Sequence, residues 1–320
     1  MIVAGIDGGG TKVECVIVTE HGDVLGQGSG GPTNTNFSPA ELVIQSLDQA
    51  IGQALSQSKT AGSRVGMIVV GSPTSPDVLY GVITRWFPSA KVIMVGEGVL
   101  ALAAGGIFGQ GVAVISGTGS MVLAHGPREI TVGGWGTLLG DEGSAYSIGI
   151  QALKAVCLAA DGRGQETLLT SSIQHWAGID EIDDLPRFVY GSPQVNRQTI
   201  ASLAVNVTKV ADKGDGVAQN ILIEAGRNLA DQAITAIRRV GFHDRFDVVG
   251  SGSVLRYNDS VFKEMAYRIH LEYPLAHTHR TNVSPALGGA CVALKLLGTT
   301  SQIIERVLSR NTEGGCAIDY

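Results

Sequence analysis

The chain contains one local pattern twice: an apolar run, a short glycine-rich turn and a second apolar run. The first copy spans residues 3–19, with its turn at 7–11, and the second spans residues 112–124, with its turn at 116–120. Turns this short join antiparallel strands, because a parallel connection needs a crossover of a dozen residues or more. The repeat therefore predicts two similar halves, each of which opens with a β-hairpin.

The rest of the sequence predicts an α/β fold. Residues 64–70 and 91–95 have the composition of strands buried on both faces, and each leads into a loop or helix, so we expect parallel pairing through crossovers. Helical spacing and end signals predict helices over 145–160 and 217–239, and a further helix that Ser284 caps. We expect a mixed sheet with flanking helices in each half.

Length and composition are those of an ordered protein with about two domains. The chain has 320 residues, of which 44% are hydrophobic and 16% are charged. We expect an N-terminal lobe over residues 1–110, joined by a C-terminal helix over 300–320, and a C-terminal lobe over 111–299. A cleft between two such lobes is the usual place for a ligand.

The charge pattern argues against several classes of partner. The net charge is −6 and no cluster of Lys or Arg occurs, whereas nucleic acids and anionic membranes attract concentrated positive charge. No uncharged run reaches the ~18 residues of a membrane span. The four cysteines (Cys15, Cys157, Cys291 and Cys316) fit no metal or redox spacing. We therefore expect a reduced, cytoplasmic protein with a small-molecule partner, and no nucleic-acid or membrane partner.

Both glycine-rich turns have the composition of phosphate-binding turns. Glycine permits the backbone conformations that aim several N–H groups at one phosphate, and each turn adds a hydroxyl side chain. A single turn of this kind is more often an ordinary tight hairpin, but two at equivalent positions favour a nucleotide site. The P-loop and the dinucleotide fingerprint are excluded, because no G-x-x-x-x-G-K-[ST] occurs and the first turn leads into a strand.

Two further features fit a nucleotide site. Asp7, at the carboxyl end of the first strand, is placed to hold a hydrated Mg²⁺, although an Asp in this position can also serve an Asx-turn. A predicted strand that begins at Val248 ends in the small residues of the segment 250–254, and a flat ring such as adenine could lie against their backbone. An ordinary strand-to-helix turn has much the same composition.

Five motifs, in this order along the chain, resemble those of a known family: GIDGGGTK at 5–12, ISGTGS at 115–120, GGWGTLLGDEGSAY at 133–146, GSGSV at 250–254 and SPALGGA at 284–290. Together they are similar to the N-acetylglucosamine kinase branch of the BadF/BadG/BcrA/BcrD-type ATPases, within the sugar kinase, Hsp70 and actin superfamily. The resemblance covers roughly residues 1–298. It implies a two-lobed, actin-like ATPase fold of the ribonuclease H-like type, with ATP and Mg²⁺ as cofactors.

The resemblance also implies site residues, with phosphate contacts from Thr11 and Thr118. The expected ATP-binding residues are Gly9, Gly10, Thr11, Lys12, Gly117, Thr118, Gly119, Gly252 and Ser253. The expected sugar-binding residues are Asn34, Glu97, Ser120, Gly134, Trp135, Gly136 and Asp141. For two of these residues the side-chain chemistry agrees with a sugar-binding role: Asn34 offers a hydrogen-bond donor and an acceptor, and Trp135 offers an apolar face for a sugar ring. Trp135 could instead be a core residue, and Asp141 could cap a helix that begins near Glu142.

Glu97 is the expected catalytic base. Phosphorylating a sugar hydroxyl requires a group that accepts its proton, and the family has an aspartate where this chain has Glu97, after a strand and before a helix. The additional methylene moves the carboxylate by on the order of 1 Å, a displacement that can cost about a hundredfold in rate. Glu97 could alternatively be a first-turn acid that complements a helix dipole. The loop at 71–76 also departs from the family, with two prolines where glycines are expected.

These observations predict a homodimeric, ATP- and Mg²⁺-dependent kinase that phosphorylates the primary hydroxyl of N-acetylglucosamine or glucosamine. Asp7 and Glu97 are the expected catalytic residues, and Asp7 is the expected metal ligand. Two alternatives stay open. One is an iron–sulfur ATPase that activates a partner enzyme, although Met121, and no cysteine, follows the second turn. The other is a nucleotide- or sugar-binding relative that has lost catalysis.

Overall fold

The computed structural model describes residues 1–311 of the chain. The strands are β1 Ile2–Gly8, β2 Val13–Thr19, β3 Val24–Gly30, β4 Val65–Gly71, β5 Lys91–Met94, β6 Gly111–Ser116, β7 Ser120–His125, β8 Glu129–Gly133, β9 Phe246–Ser251 and β10 Ala276–Arg280. The helices are α1 Ala40–Ser58, α2 Pro76–Trp86, α3 Glu97–Ala104, α4 Ala145–Ala160, α5 Leu169–Ala177, α6 Leu185–Gly191, α7 Arg197–Ala211, α8 Gly216–Val240, α9 Ser253–Tyr257, α10 Asp259–Glu272, α11 Pro285–Leu296 and α12 Ser301–Arg310. Residues 312–320 of the expected C-terminal helix lie outside the described residues.

The strands form two five-stranded sheets. The first has the order β3-β2-β1-β4-β5, in which β1 and β2, and β2 and β3, pair antiparallel, whereas β1 and β4, and β4 and β5, pair parallel. The second has the order β10-β9-β6-β7-β8, with β7 and β8 antiparallel. The antiparallel opening and the later parallel crossovers are confirmed. The predicted α/β class, with a mixed sheet in each half, is also confirmed.

The chain divides into two compact units. The first comprises residues 1–113 together with the described residues from Arg280 onward, and the second comprises residues 114–279. This division differs from the expected lobes, because residues 280–299 belong to the first unit. The reason is close packing of α11 on β1. A Cβ atom on Gly5 would lie 1.9 Å from the carbonyl oxygen of Ala286 and 2.4 Å from the nitrogen of Ala290.

Helices cover both faces of the first sheet. On one face, buried side chains of the sheet pack against α1 and α2. On the other face, a second group of buried side chains packs against α3, α11 and α12. The strand β5 was expected to be buried on both faces, and this prediction was wrong. β5 lies at the edge of the sheet, and its residues are partly or fully exposed, with Lys91 and Met94 the most open. Its apolar composition alone did not reveal this edge position.

The long helix α8 is the main packing element of the second unit. It contacts β7, β8, α4, α7 and α10. Asp215 caps its start by accepting a hydrogen bond from the Ala218 nitrogen at 2.8 Å, and Gly241, with φ of +82°, ends it in the left-handed conformation. Within residues 1–311, no helix combines the length and the apolar character that crossing a membrane would require.

Candidate active site

The first glycine-rich turn joins β1 to β2. The Gly9 nitrogen donates to the Lys12 carbonyl at 2.9 Å, which closes the turn and leaves Gly9, Gly10, Thr11 and Lys12 partly or fully exposed. The Lys12 ammonium pairs with the Glu14 carboxylate, and that carboxylate also accepts a hydrogen bond from Ser284 at the start of α11. The turn thus places Lys12, paired with Glu14, at the carboxyl end of β1.

Asp7 and Glu97 lie at the same edge of the first sheet. Asp7 pairs with Gly71 in the parallel register of β1 and β4, and Glu97 is the first residue of α3. A Cβ atom on Gly71 would lie 3.3 Å from the Cα of Glu97 and 2.6 Å from the Leu100 side chain. Because Gly71 lacks a side chain, the start of α3 can approach the end of β4, which places Glu97 close to Asp7.

Both acids have raised pKa values. Burial raises the pKa of Asp7 to about 8, the negative charges of Glu97 and Glu14 act in the same direction, and Lys12 opposes them. Burial likewise raises the pKa of Glu97 to about 7. A carboxyl group with a pKa near neutrality can accept a proton at physiological pH, which is the property expected of a general base.

A network of hydroxyl groups fixes the loop that carries Asn34. The Thr74 hydroxyl donates to the Thr33 carbonyl at 2.6 Å, and the Ser72 hydroxyl lies 2.7 Å from that of Thr74 and 3.1 Å from that of Thr33. The Thr33 nitrogen donates to the Gly9 carbonyl at 2.9 Å. The loop at 71–76, which departs from the family pattern, thus supplies the hydroxyls that hold the Asn34 loop beside the first turn. Asn34 is half-buried.

The second glycine-rich turn is held by the start of α4. The Gly117 nitrogen donates to the Gly119 carbonyl at 2.9 Å, and the Ala145 and Tyr146 nitrogens donate to the carbonyls of Gly117 and Thr118 at 2.9 and 3.4 Å. The Ser120 side chain is buried, and its hydroxyl donates to the Glu142 carbonyl at 2.8 Å. The turn is therefore tied to the residues that precede and begin α4.

The end of β9 packs directly on this second turn. Gly252 has φ of +93°, and a Cβ atom there would lie 2.3 Å from the Ser116 carbonyl oxygen and 3.1 Å from the Gly117 nitrogen. Only glycine fits this position, because any side chain would be both strained and in collision with backbone. Ser253 follows as the first residue of α9. The structure thus brings Gly252 and Ser253 beside the expected phosphate turn.

Asp141 has a different role from helix capping. The residue that caps α4 is Ser144, whose hydroxyl accepts from the Ser147 nitrogen at 3.2 Å, so the helix-cap alternative was wrong. Asp141 is buried with φ of +62°; one carboxylate oxygen lies 2.8 Å from Nη2 of Arg197, and the other accepts from the Ser120 nitrogen at 3.4 Å. Burial raises the pKa of Asp141, while Arg197 and the backbone donors oppose this shift.

Trp135 lies in an open loop. Its side chain is 72% exposed, which rules out the alternative that it is a core residue. Gly134 and Gly136 on either side have positive φ values, and the Gly134 nitrogen donates to the Ser120 carbonyl at 3.0 Å. The neighbouring Leu138 is 95% exposed. The loop is anchored to the second turn at its base and presents apolar side chains to solvent at its tip.

The expected site residues thus form one group in each unit. In the first unit, Asp7, Glu97, Asn34 and the turn at 9–12 lie around the ends of β1 and β4. In the second unit they surround the turn at 117–120: Ser120, Gly134, Asp141, Gly252 and Ser253.

Sequence reasoning missed Arg197, whose partner Asp141 is 56 residues away in the chain. It also missed the hydroxyl network. No local pattern marks Arg197, whereas the three hydroxyl residues within 72–75 were a visible signal.

Comparison with known proteins gives near-full-length relatives. A protein of Clostridium acetobutylicum named N-acetylmuramic acid/N-acetylglucosamine kinase is 32% identical over 299 residues, which cover 91% of this chain and 97% of the relative. A Dictyostelium discoideum protein named N-acetyl-D-glucosamine kinase is 27% identical over 92% of this chain and 98% of its own length.

A solved structure from Porphyromonas gingivalis, provisionally named an N-acetylglucosamine kinase, has a TM-score of 0.68 at 18% identity, covering 94% of this chain and 99% of that one, and it shares the fold. The family profile described as "BadF/BadG/BcrA/BcrD ATPase family" matches residues 4–293. With most of its length covered by this profile, the chain belongs to the BadF/BadG/BcrA/BcrD ATPase family.

Proposed function

We propose that this protein is a kinase that transfers the γ-phosphoryl group of ATP to the primary hydroxyl of an amino sugar, with N-acetylglucosamine as substrate and its 6-phosphate as product. The observation that carries the proposal is the acid pair Asp7 and Glu97 beside a glycine-rich turn. The names of the curated relatives, which are kinases of N-acetylglucosamine, N-acetylmuramic acid and glucosamine, support the substrate class.

Glu97 accepts the proton in this proposal. The sugar oxygen forms a bond to the γ-phosphorus of ATP, the bond from that phosphorus to the bridging oxygen breaks, ADP leaves, and the hydroxyl proton passes to a Glu97 oxygen. A pKa of about 7 suits this task, because the carboxylate is available as a base and still binds a proton strongly enough to assist the transfer.

Asp7 is the proposed ligand of Mg²⁺. A carboxylate oxygen is the kind of ligand that Mg²⁺ prefers. The surroundings also fit a cation, because burial and the nearby charges of Glu97 and Glu14 disfavour the ionised form of Asp7 in its absence. When bound, Mg²⁺ neutralises negative charge on the phosphate groups.

The remaining expected residues have binding roles in the proposal. Thr11 and Thr118 contact phosphate groups together with backbone N–H groups of the two turns, and Gly252 and Ser253 contact the adenosine. The proposed sugar contacts are Asn34, Ser120, Gly134, Trp135, Gly136 and Asp141, in addition to Glu97. We also propose that the protein is a cytoplasmic homodimer. Support for the location comes from the described cysteines, Cys15, Cys157 and Cys291, which are all free thiols.

A coupled ADP-release assay tests the proposal. The purified protein is assayed with ATP and Mg²⁺ against N-acetylglucosamine, glucosamine, N-acetylmannosamine, N-acetylmuramic acid and glucose, and the product is identified by phosphorus NMR. We expect sugar-dependent ADP release that is highest with N-acetylglucosamine, and a 6-phosphate product. A preference for another amino sugar would change the substrate while preserving the reaction.

Two outcomes would overturn the proposal. Tight ATP binding without ADP release from any sugar would indicate a binding protein without turnover. ADP release that no sugar stimulates would indicate an ATPase of another kind. The iron–sulfur activator alternative is not favoured, because the near-full-length curated relatives are named as sugar kinases.

A further inference from the structure

A cluster of three potential metal ligands lies on the second sheet. Among the residues that the structure describes, Asp247, His277 and His279 form the one group of at least three His, Cys, Asp or Glu side chains whose ligand atoms all lie within 4.8 Å of one another. All three side chains are partly exposed, so an ion in solution can reach them. Nothing in the proposed kinase reaction uses them.

The local sequence explains how the cluster forms. Side chains alternate between the two faces of a strand, so His277 and His279 of β10 project from the same face, while Thr278 between them is buried on the other. β10 is the edge strand next to β9, and Asp247 is the second residue of β9. Two imidazoles and a carboxylate thus meet across the last strand pair of the sheet.

The geometry is close to that of a chelating site. Nδ1 of His277 lies 2.8 Å from Oδ1 of Asp247, and the His277 and His279 rings stack with centroids 5.3 Å apart and an angle of 28°. Ligand atoms on a tetrahedral zinc ion lie about 3.3 Å apart, given bonds of about 2.0–2.1 Å. Small side-chain rotations therefore suffice to place all three ligands around one ion.

An ordinary ion pair accounts for only part of this arrangement. The contact of His277 with Asp247 does not involve the His279 ring, which stacks on the His277 ring at 5.3 Å. A metal ion binds two imidazoles and a carboxylate together, so it would use all three groups.

We infer that Asp247, His277 and His279 bind a divalent transition-metal ion of the Zn²⁺ type, which links the edge strand β10 to β9. Imidazole nitrogens favour this class of ion over Mg²⁺. The site is separate from the proposed nucleotide site, because Asp247 lies near the start of β9 and Gly252 follows its end, five residues and about 16 Å further along extended chain. Three protein ligands leave one coordination position for water.

Zinc titration of the wild-type protein and of single variants tests the inference. The protein is stripped with a chelator, the chelator is removed, and Zn²⁺ is titrated by calorimetry with excess Mg²⁺ present. We expect one Zn²⁺ per chain and a higher Tm when Zn²⁺ is bound. His277→Ala and His279→Ala should each weaken binding by at least about tenfold. His175→Ala, at an exposed position on α5, is the matched control and should bind as the wild type does.

Cobalt provides a second readout that does not depend on activity. Co²⁺ in place of Zn²⁺ should give visible absorption bands of a four-coordinate ion in the wild type and in His175→Ala, and these bands should disappear in the His277→Ala/His279→Ala double variant. Equal Zn²⁺ affinity in the wild type and the double variant would overturn the inference. So would the absence of saturable binding to a wild-type protein that is folded by circular dichroism.

Discussion

Replacing Glu97 by Gln is the most informative change to the proposed active site. Gln has the same shape and hydrogen-bonding reach, but it cannot accept a proton. At pH 8, about one unit above the pKa of about 7, roughly nine in ten Glu97 side chains are ionised and able to act as a base. We expect Glu97→Gln to lower kcat by a factor of about 10² to 10⁴, the usual contribution of a general base, with the KM for ATP little changed.

A control separates this role from a merely structural one. Glu41 is also an acid in the first turn of a helix of the first unit, and it is exposed. If Glu97 only complemented the dipole of α3, both substitutions would cost about 0.3–1 kcal/mol of stability and leave turnover intact. The assay is steady-state ADP release with saturating sugar, accompanied by urea unfolding of both variants.

The pH profile provides an independent check. Protonated Glu97 cannot act as a base, so wild-type kcat should fall about tenfold for each pH unit below about 7. Glu97→Gln should lose this dependence. A variant that turns over within tenfold of the wild type, with an unchanged acidic limb, would refute the assignment of Glu97 as the base.

Three further predictions concern Asp7, the hydroxyl network and the ion pair of the second unit. Asp7→Asn should abolish Mg²⁺-dependent turnover yet raise the stability of the fold at neutral pH. The Asp7 carboxyl ionises near pH 4 in the unfolded chain and near pH 8 in the folded one, so the wild type loses at most about 6 kcal/mol of stability as the pH rises between these values. Metal-free melting curves of both proteins from pH 4 to 9 measure this loss. Thr74→Val removes the hydroxyl that holds the Thr33 carbonyl, so it should lower the free energy of unfolding in urea by about 1–3 kcal/mol. It should also raise the KM for the sugar more than it lowers kcat, and an unchanged KM would contradict this. Arg197→Met should destabilise the second unit by about 2 kcal/mol, because it leaves the Asp141 carboxylate without its partner. A double-mutant cycle with Asp141→Asn should give a coupling energy above about 1 kcal/mol, and additive effects would argue against the ion pair.

Local sequence signals were sufficient to predict a helix wherever its bounds depend only on its own residues and caps. The predicted helix over 145–160 matches α4, whose start is fixed by the Ser144 cap, and the predicted helix over 217–239 is within one residue of α8 at each end. Both hairpins also follow from their turns, because connections this short join antiparallel strands. The glycine-rich motifs were therefore the most reliable guide to the fold.

Long-range packing accounts for what the sequence did not reveal. The composition of β5 resembles that of a buried strand, and only the strand order shows that, among residues 1–311, no strand pairs with its outer edge. The pairing of Asp141 with Arg197 depends on how α7 packs, which no local pattern encodes. The closeness of Asp7 and Glu97 could be expected from their positions at strand ends, but the part played by Gly71 could not. Roles in catalysis for these residues stay predictions.

The packing of α11 against Gly5 of β1 affects the order in which the two units can fold during synthesis. The first unit contains both β1 and α11, so the ribosome synthesises residues 114–279 before it makes α11. At about 5–20 residues per second, translation of that stretch takes on the order of ten seconds or more. During this interval the nascent chain exposes the face of the first sheet that α11 later covers. The second unit can therefore fold on the ribosome before the first one, although its residues are translated later.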